Sequence, residues 1–303
     1  MMENTGFYGK IEELIPDIEI KRCEPMARHT SFRIGGPVEV MVFPKNIHEL
    51  SALMKLCAEA GVAPAILGAG TNILAPDAGI KGIVICMKDA MDGMERIDQY
   101  RIRIAAGVTM SRAAVFAATQ NLGGLEFAHG IPGTVGGGVY MNAGAYGGEI
   151  ADICETVDVM TTDGEVKTLS CSEMGFSYRH SRLEEDGGIV VNAVFKLTPR
   201  PESEIRAQMQ DFMLRRKASQ PLDLPSAGSA FKRPVGGYAA ALIDQAGLKG
   251  YRIGDAAVSE KHAGFVVNLG CATAKDVTTL MRQVAEKVFE NSGIKLDPEV
   301  RFW

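Results

Sequence analysis

A glycine-rich segment in the middle of the chain, residues 123–148, constrains the fold more than any other feature. It reads GGLEFAHGIPGTVGGGVYMNAGAYGG, and ten of its twenty-six residues are glycine. Glycine adopts positive φ without penalty and lets the backbone approach a ligand closely, at an entropic cost to folding. Such a segment is typical either of a series of structural turns or of a cradle of backbone N–H groups around a nucleotide diphosphate. We favour the cradle.

The same segment could be mistaken for a membrane span, because residues 127–148 contain no Asp, Glu, Lys or Arg. Its glycines, Pro132 and Asn142 are poor material for a helix surrounded by lipid. We therefore expect no membrane segment here.

Composition indicates a soluble globular protein with two or three domains, since 303 residues with 46% hydrophobic and 23% charged side chains are ordinary for that class. A net charge of −5 argues against a nucleic-acid partner. The scattered cysteines and the lack of a secretory signal favour the cytoplasm. The histidines show no metal-binding spacing, so we expect no metal site.

The first part of the chain shows signals of a small α+β unit. We predict a helix over 3–20 and a strand over 38–43. The spacing of Asn46 and Glu49 is that of a capping box, and it predicts a helix that ends at Gly61.

A second glycine turn, GAGTN at residues 68–72, follows a short apolar strand. It lacks the third glycine and the acidic ribose ligand of a Rossmann fold, which we therefore disfavour. Its N–H groups, the Thr71 hydroxyl and the Asn72 amide could still bind phosphate oxygens. By itself this turn does not differ clearly from an ordinary one.

The second half of the chain divides at residues 198–201, TPRP, where two prolines coincide with a change in polarity. Before this point, Thr162 to Gly164 predicts a hairpin, Ser170 and Glu173 have the spacing of a second capping box, and a strand is expected over 189–197. After it, periodicity predicts three helices and one strand, over 202–217, 238–246, 274–291 and 265–269.

Seven motifs in order along nearly the whole chain resemble the UDP-N-acetylenolpyruvoylglucosamine reductase (MurB) family. They are HTSFRIGGP, LGAGTNIL, GIPGTVGGGVYMNAGAYGG, YRHS, PSAGSAFKRP, AGLKGYRIGDAAVSEKHAGFVVN and LDPEVRF. The resemblance implies an α+β protein with a two-subdomain FAD-binding fold of the vanillyl-alcohol-oxidase/PCMH type and a C-terminal α+β substrate domain. We place the two FAD-binding subdomains at 1–95 and 96–199, and the substrate domain at 200–303.

The implied activity is the NADPH-dependent reduction of an enolpyruvyl sugar nucleotide in bacterial cell-wall synthesis, with noncovalent FAD. Hydride delivery to the carbon β to a carboxylate builds enolate charge there, and a proton must then reach the α carbon. A fixed guanidinium and a nearby acid suit the enolate, while a short hydroxyl suits the crowded α carbon.

Three catalytic residues follow from the resemblance. The family's enolate-stabilising arginine falls on Arg179, its proton-donating serine on Ser229, and its glutamate on Glu299. From the residues alone, Arg179 could equally be a surface arginine at a strand end, and Glu299 an exposed carboxylate of the tail. Ser229 lies in a Gly-Ser turn between two prolines, which makes a fixed hydroxyl plausible.

The resemblance also implies two sets of binding residues. The cofactor set is Arg33, Gly68, Ala69, Gly70, Thr71, Asn72, Gly130, Ile131, Pro132, Gly133, Thr134, Gly136, Gly137, Asn142, Ala143 and Gly144. The substrate set is Tyr146, Lys217, Lys232, Arg233 and Arg301. An acidic protein needs such local cations to bind a diphosphate.

Two departures from the family pattern limit this transfer. FKRP stands where many members have FKNP, so Arg233 replaces an asparagine that contacts the sugar nucleotide. The fifty residues from Arg179 to Ser229 are too few for the tyrosine-bearing lid of the longer subclass, so the chain resembles the short type II subclass. Neither Tyr146 nor Tyr178 can simply be substituted for the lid tyrosine.

Two other functions compete with this interpretation. An oxidase of the same fold with covalent FAD could use His129 as the attachment point, but it gives the PSAGS and PEVRF motifs no role. A nucleotide-binding scaffold explains the glycines but not Arg179, Ser229 and Glu299. We expect a monomer that binds a small-molecule sugar nucleotide.

Overall fold

Eight α-helices occur in the part of the chain described by the computed structural model, residues 5–88 and 90–303. They are α1 Thr5–Leu14, α2 Ile47–Glu59, α3 Met110–Thr119, α4 Val135–Tyr140, α5 Leu183–Asp186, α6 Glu202–Ser219, α7 Ala239–Gln245 and α8 Ala274–Ser292.

Nineteen strands accompany these helices in the described residues. They are β1 Glu19–Pro25, β2 Pro37–Phe43, β3 Ala65–Leu67, β4 Ile73–Leu74, β5 Ile80–Cys86, β6 Met94–Arg96, β7 Arg101–Ala105, β8 Leu122–Gly123, β9 Gly144–Ala145, β10 Gly148–Glu149, β11 Cys154–Met160, β12 Val166–Ser170, β13 Ile189–Lys196, β14 Thr198–Pro199, β15 Ser226–Ser229, β16 Arg252–Ile253, β17 Ala256–Val258, β18 Phe265–Asn268 and β19 Arg301–Phe302.

Three sheets formed by the described residues have four or more strands. Their orders are β1-β2-β5-β3, β12-β11-β13-β7-β6 and β15-β18-β17-β16, and three further strand pairs are β10-β9, β14-β8 and β19-β4. The predicted hairpin around Thr162 to Gly164 is present as the antiparallel pair β11 and β12. Mixed helices and sheets of this kind are an α+β architecture.

The first helix is shorter than predicted. Residues 3 and 4 lie outside the described part of the chain, α1 ends at Leu14, and β1 begins at Glu19. The prediction of helix as far as residue 20 was wrong, because Pro16 lacks an N–H and disfavours helical backbone in the residue before it.

Helix α2 begins where its capping box predicted. The Asn46 side chain accepts hydrogen bonds from the N–H groups of His48 and Glu49, at 3.0 and 2.9 Å. Gly61 follows the helix with φ of +64°, a conformation that favours glycine. His48 is exposed in the first turn of the helix.

The chain forms two units, each assembled from separate segments. Unit 1 contains the chain up to Lys21, Val40–Ala69 and Gly82–Leu214. Unit 2 contains Arg22–Glu39, Gly70–Lys81 and Arg215–Trp303. The three-domain division at residues 95 and 199 stays a prediction.

Unit 1 has two hydrophobic cores. One is built around α1 and α2, with buried Ile11, Leu50 and Ile85 among its members. The other lies between the five-stranded sheet and the helices α3 and α4, and includes Ile104 and Phe195. The second core supports the glycine-rich segment, because α4 is part of that segment.

Unit 2 has one core, in which α7 and α8 pack with the sheet β15-β18-β17-β16. Phe32 and Leu74, from the two earlier segments of this unit, are buried in the same core. Helix α8 begins with a capping box formed by Thr273 and Asp276. The HTSFRIGG motif and most of the GAGTN turn therefore belong to the same unit as the C-terminal motifs.

Candidate functional site

Part of the glycine-rich segment of unit 1 is a short capped helix, α4. The hydroxyl of Thr134 accepts a hydrogen bond from the N–H of Gly137 over 3.3 Å. The N–H of Gly136 donates to the carbonyl oxygen of Ala106 over 2.9 Å. The N–H groups of both glycines therefore donate to oxygens of the protein. They are not available to a phosphate in the way that the predicted cradle requires. What Gly136 and Gly137 can offer a ligand is a close approach of the backbone.

Gly68 of the first predicted cofactor segment lies beside Thr134 of the second, and both residues belong to unit 1. A Cβ atom on Gly68 would lie only 2.8 Å from the hydroxyl oxygen of Thr134. Gly133 has φ of +135°, which side chains with a Cβ atom rarely adopt. A Cβ atom is therefore disfavoured at Gly68 by the Thr134 hydroxyl and at Gly133 by the positive φ, which leaves the backbone bare at these two glycines.

Asn142, within the glycine-rich segment, is fully buried. Its Nδ2 donates to the carbonyl oxygen of Ser177 over 3.0 Å, and its Oδ1 accepts from the N–H of Ala151 over 2.9 Å. The amide is therefore fixed by the backbone of the same unit. Any contact with the cofactor would come from its main chain or from its neighbours Ala143 and Gly144.

Arg179 lies on a tight turn that is tied to the glycine-rich segment. Ser177 and His180 exchange two backbone hydrogen bonds of 3.1 and 3.2 Å, and Arg179 has φ of +57°. Its Nη2 donates to the carbonyl oxygen of Gly144 over 3.1 Å. The buried hydroxyl of Ser181 donates to the carbonyl oxygen of Tyr140 at the end of α4, over 2.6 Å. The predicted enolate-stabilising arginine is thus held beside the predicted cofactor segment.

His129 also borders this segment. The residue is half-buried, and this burial, with a smaller effect of Arg206, lowers the pKa of the imidazole. Its Nδ1 is buried and makes no hydrogen bond to another described residue. The neutral ring is therefore favoured at neutral pH.

In unit 2, Ser229 is the last residue of β15. It pairs with Phe265 of β18, and the register shifts between Ser226 and Ser229. Gly228 has φ of +76°, so the strand bends at the residue before the serine. Ser229 is exposed. The irregularity aims a side chain out of the sheet, a common use of bulges beside active sites.

Glu299 lies directly beside this strand end. Its N–H donates to the carbonyl oxygen of Ala230 over 2.9 Å. Its own carbonyl oxygen accepts from Nδ2 of Asn72 over 3.1 Å, and the N–H of Arg301 donates to the carbonyl oxygen of Asn72 over 2.9 Å. The GAGTN turn, the serine strand and the C-terminal motif therefore meet in unit 2, and the Asn72 amide is used to join them.

The HTSF motif completes this arrangement. The hydroxyl of Ser31 donates to the carbonyl oxygen of Ser226 over 2.6 Å, and its N–H donates to that of Gly70 over 3.0 Å. A Cβ atom on Gly70 would overlap the carbonyl oxygen of His29, so only glycine fits there. Thr71 follows as a half-buried residue, and Arg33 is exposed with φ of +56°.

The predicted substrate cations also belong to unit 2. Lys232 is half-buried and its N–H donates to the carbonyl oxygen of Asp297 over 2.8 Å. The exposed Arg233 lies over the ring of Tyr238, with 4.1 Å between its Cζ and the ring centroid. Lys217 is exposed near the end of α6, and Arg301 is half-buried in β19.

Two cations of unit 2 were not assigned from the sequence. Lys261 donates from Nζ to the carbonyl oxygen of Lys217 over 2.6 Å. Arg216 is buried, and its Nη1 donates to Oε1 of Gln220 over 3.1 Å. The basic run 215–217 was visible in the sequence, but which of its members points inward depends on tertiary packing.

No helix in residues 5–88 and 90–303 combines the length and apolar character needed to cross a bilayer. The same residues contain no group of three or more His, Cys, Asp or Glu side chains placed to hold a metal ion.

Comparisons with known proteins agree with this arrangement. Residues 38–170 match the profile of a family described as FAD binding domain, and residues 220–303 match that of UDP-N-acetylenolpyruvoylglucosamine reductase, C-terminal domain. A reductase of that name from Agathobacter rectalis is 44% identical over 98% of this chain and 98% of its own length. The chain belongs to the UDP-N-acetylenolpyruvoylglucosamine reductase family.

Two further relatives support membership of this family. The reductase of the same name from Streptococcus pneumoniae is 45% identical over 96% of both chains. The crystal structure of the family member from Thermus caldophilus has a TM-score of 0.79 and 36% identity, covering 94% of this chain and 98% of its own.

The predicted fold class is confirmed. An alkyldihydroxyacetonephosphate synthase, with a TM-score of 0.51 and 14% identity, shares the fold alone. Together with the two matched profiles, it shows the two-subdomain FAD-binding fold of the vanillyl-alcohol-oxidase type followed by the C-terminal domain of the reductase family. The roles of Arg179 in unit 1 and of Ser229 and Glu299 in unit 2 stay predictions.

Proposed function

We propose that this chain reduces UDP-N-acetylglucosamine enolpyruvate to UDP-N-acetylmuramate, with NADPH as the hydride donor and noncovalent FAD. The observation that carries the proposal is 44–45% identity to reductases of this family over nearly the whole chain. An FAD-binding domain and the family's C-terminal domain both occur in the chain.

The residues of unit 1 fit FAD. Gly68 and Thr134 approach each other so closely that a side chain on Gly68 would be excluded, and Gly133 has a positive φ. We assign cofactor contacts to these residues and to their neighbours in the two glycine segments. Bound FAD would supply the hydride-transfer chemistry between NADPH and the enolpyruvyl double bond.

Arg179 stabilises the enolate in this proposal. A guanidinium has five N–H donors in one plane, and the hydrogen bond from Nη2 to Gly144 fixes the orientation of that plane. A fixed cation lowers the energy of a developing negative charge without reorganising during the reaction.

Ser229 donates the proton to the α carbon, and Glu299 acts near the substrate carboxylate. The hydrogen bond from Glu299 to Ala230, the residue after the serine, holds the two residues in one place within unit 2. Ser229 is exposed at a strand bend, so its hydroxyl is accessible to a ligand.

Tyr146, Lys217, Lys232, Arg233 and Arg301 bind the sugar nucleotide in this proposal. With a net charge of −5, the chain must provide local cations for a diphosphate. We further propose that the enzyme is a cytoplasmic monomer whose product serves peptidoglycan synthesis, and thereby cell shape and division.

Steady-state oxidation of NADPH tests the proposed function. Oxidation should depend on the enolpyruvyl sugar nucleotide and should not be supported by UDP-N-acetylglucosamine, which lacks the reducible group. Equal rates with both compounds would contradict the proposal. Denaturation and filtration of the protein should give a yellow filtrate, whereas retained colour would favour the covalent oxidase.

A further inference from the structure

The hairpin at the end of the glycine-rich segment turns through only two residues, Tyr146 and Gly147. Strands β9 and β10 pair antiparallel with Ala145 opposite Gly148, which leaves these two as the loop. Their φ angles are +53° and +86°. Positive φ at both central residues is the requirement of a type I′ turn.

Tyrosine is an unfavourable residue at the first position of such a turn. Asn, Asp and Gly dominate type I′ turns, because other side chains resist positive φ. Residues held in such conformations occur preferentially at ligand sites, where the surrounding structure enforces them. The backbone at Tyr146 therefore suggests that the position of its ring is functional.

Phe212 of α6 holds this ring from one side. The two ring centroids are 4.5 Å apart and the ring planes differ by 8°, so the rings are stacked. Phe212 is half-buried and packs against the core beneath the five-stranded sheet. Tyr146 keeps 38% of its surface exposed. One face of the tyrosine is thus fixed by a residue anchored in the core, while much of the side chain remains accessible.

The stem of the hairpin is fixed independently of its tip. A Cβ atom on Gly148 would lie 2.8 Å from Cδ1 of the buried Phe127, so the stem packs tightly against the core. The carbonyl oxygen of Gly144, in the other strand of the stem, accepts the hydrogen bond from Arg179. One hairpin therefore carries both the Arg179 contact and the Tyr146 ring.

We propose that Phe212 is a positioning residue for substrate recognition: it holds Tyr146 so that the accessible part of the tyrosine ring packs against a ring of the sugar nucleotide. Planar rings and the CH-rich faces of sugars both pack on aromatic rings. The inference rests on the proposed function, because it assumes that the sugar nucleotide is the ligand of this surface.

Substitution of Phe212 by Leu tests the inference. Leucine keeps an apolar side chain in the helix but cannot stack, so KM for the enolpyruvyl sugar nucleotide should rise by about 2- to 10-fold with kcat little changed. Flavin reduction by NADPH should keep its wild-type rate constant. Phe212→Tyr, which preserves the stack, should restore most of the lost affinity.

Phe116→Leu is the matched control, because Phe116 is also a half-buried helical phenylalanine that packs against the same core. It should lower the thermal midpoint of unfolding without raising KM. Tyr146→Asn should raise both quantities. The thermal midpoint should rise because asparagine suits the turn, and KM should increase because the ring is lost. Equal KM values in the Phe212→Leu and Phe116→Leu enzymes, or a Tyr146→Asn enzyme with wild-type KM, would overturn the inference.

A binding experiment separates this inference from the proposed function. Titration with UDP, followed by flavin fluorescence, should give a weaker Kd for Phe212→Leu than for the wild type. A wild type that binds UDP but does not turn over the enolpyruvyl compound would contradict the proposed function. The role of Phe212 would then still be tested by comparing the Kd for UDP of Phe212→Leu with that of the wild type. Equal Kd values, or a loss of NADPH binding alone, would refute the role of Phe212.

Discussion

The main-chain N–H of Glu299 donates a hydrogen bond of 2.9 Å to the carbonyl oxygen of Ala230, the residue that follows Ser229. The position of Glu299 is therefore set by its backbone, and its carboxylate is not needed for this contact. Asn72 reinforces the same point by donating to the carbonyl oxygen of Glu299 over 3.1 Å. A substitution can therefore remove the charge of the Glu299 side chain without removing the main-chain contacts that position the residue.

Glu299→Gln should remove the charge and keep the fold. We expect a thermal midpoint near that of the wild type, together with a roughly 10²-fold slower reoxidation of reduced flavin by the sugar nucleotide, the usual scale for losing one electrostatic stabiliser. Asp297→Asn is the control, because Asp297 is an exposed carboxylate that pairs with Lys295 at 3.2 Å. A Glu299→Gln enzyme with wild-type reoxidation would exclude a catalytic role for the carboxylate.

Gly137→Ala tests whether the glycine-rich segment lies against FAD. A Cβ atom there would meet only the Thr134 hydroxyl, at an ordinary 3.5 Å, and alanine is the better residue within a helix. The apoprotein should therefore be at least as stable as the wild type in urea, while its affinity for FAD should fall. Fluorescence titration of the apoprotein with FAD measures that affinity.

Gly136→Ala is the comparison for this variant. Its Cβ atom would lie 2.9 Å from that of Ala106, so the apoprotein itself should be destabilised. Wild-type FAD affinity in Gly137→Ala would show that this part of the segment does not touch the cofactor.

Local signals in the sequence predicted most of the elements, because those elements depend on neighbouring residues. The Asn46 cap, the hairpin around Thr162 and α8 all appear where their patterns placed them, with α8 ending at Ser292. The capping-box residues Ser170 and Glu173 do exchange hydrogen bonds, but only a turn follows them. A capping box provides acceptors for the first backbone N–H groups of a helix, but it does not by itself make the following residues helical.

The tertiary arrangement of the site was not predictable from local signals. Asn72 contacts Glu299, and Ser31 contacts Ser226, across most of the length of the chain. No periodicity encodes such pairings. The N–H groups of Gly136 and Gly137 illustrate the same limit. They donate to Ala106 and Thr134 and are therefore not available to a phosphate, and only the fold places these two acceptors.

Removal of single cations in unit 2 should locate the diphosphate of the substrate. Alanine at Lys217, Lys232 or Arg233 should raise KM by about 10-fold or more at the residue that contacts phosphate, with a smaller effect on kcat. Lys295→Ala is the control, since Lys295 is exposed and pairs with Asp297. Wild-type KM in all three variants would refute the assignment of these cations.

His262 should make unit 2 less stable in mild acid. Burial, with a smaller effect of Lys249, lowers the pKa of His262, and Nδ1 accepts a hydrogen bond from the N–H of Gly264 over 3.1 Å. The folded state therefore binds the proton less well than the unfolded state, whose histidine pKa is about 6.5. The contribution of the neutral His262 to the free energy of unfolding is fully present above this pH. It decreases as the pH falls from there towards the pKa of His262 in the folded state.

Urea unfolding across this pH range measures the effect. The wild type should lose stability below about pH 6.5, and His262→Gln should lose less over the same interval. His48→Gln, which replaces a histidine in the first turn of α2, is the control. An unchanged pH dependence in His262→Gln would mean that other groups cause the acid sensitivity.

Stopped-flow absorbance of the flavin tests the central claim most directly, because it separates reduction by NADPH from reoxidation by the enolpyruvyl sugar nucleotide. In the wild type both steps should be fast. In Ser229→Ala, reduction should stay near the wild-type rate while reoxidation slows by roughly 10²- to 10⁴-fold, the usual scale of general acid catalysis. Ser229→Cys, which keeps a donor of similar reach, should reoxidise faster than the alanine variant. Equal slowing of both steps by alanine would contradict the role of Ser229 as proton donor, and a wild-type flavin that the sugar nucleotide does not reoxidise would contradict the proposed reaction itself.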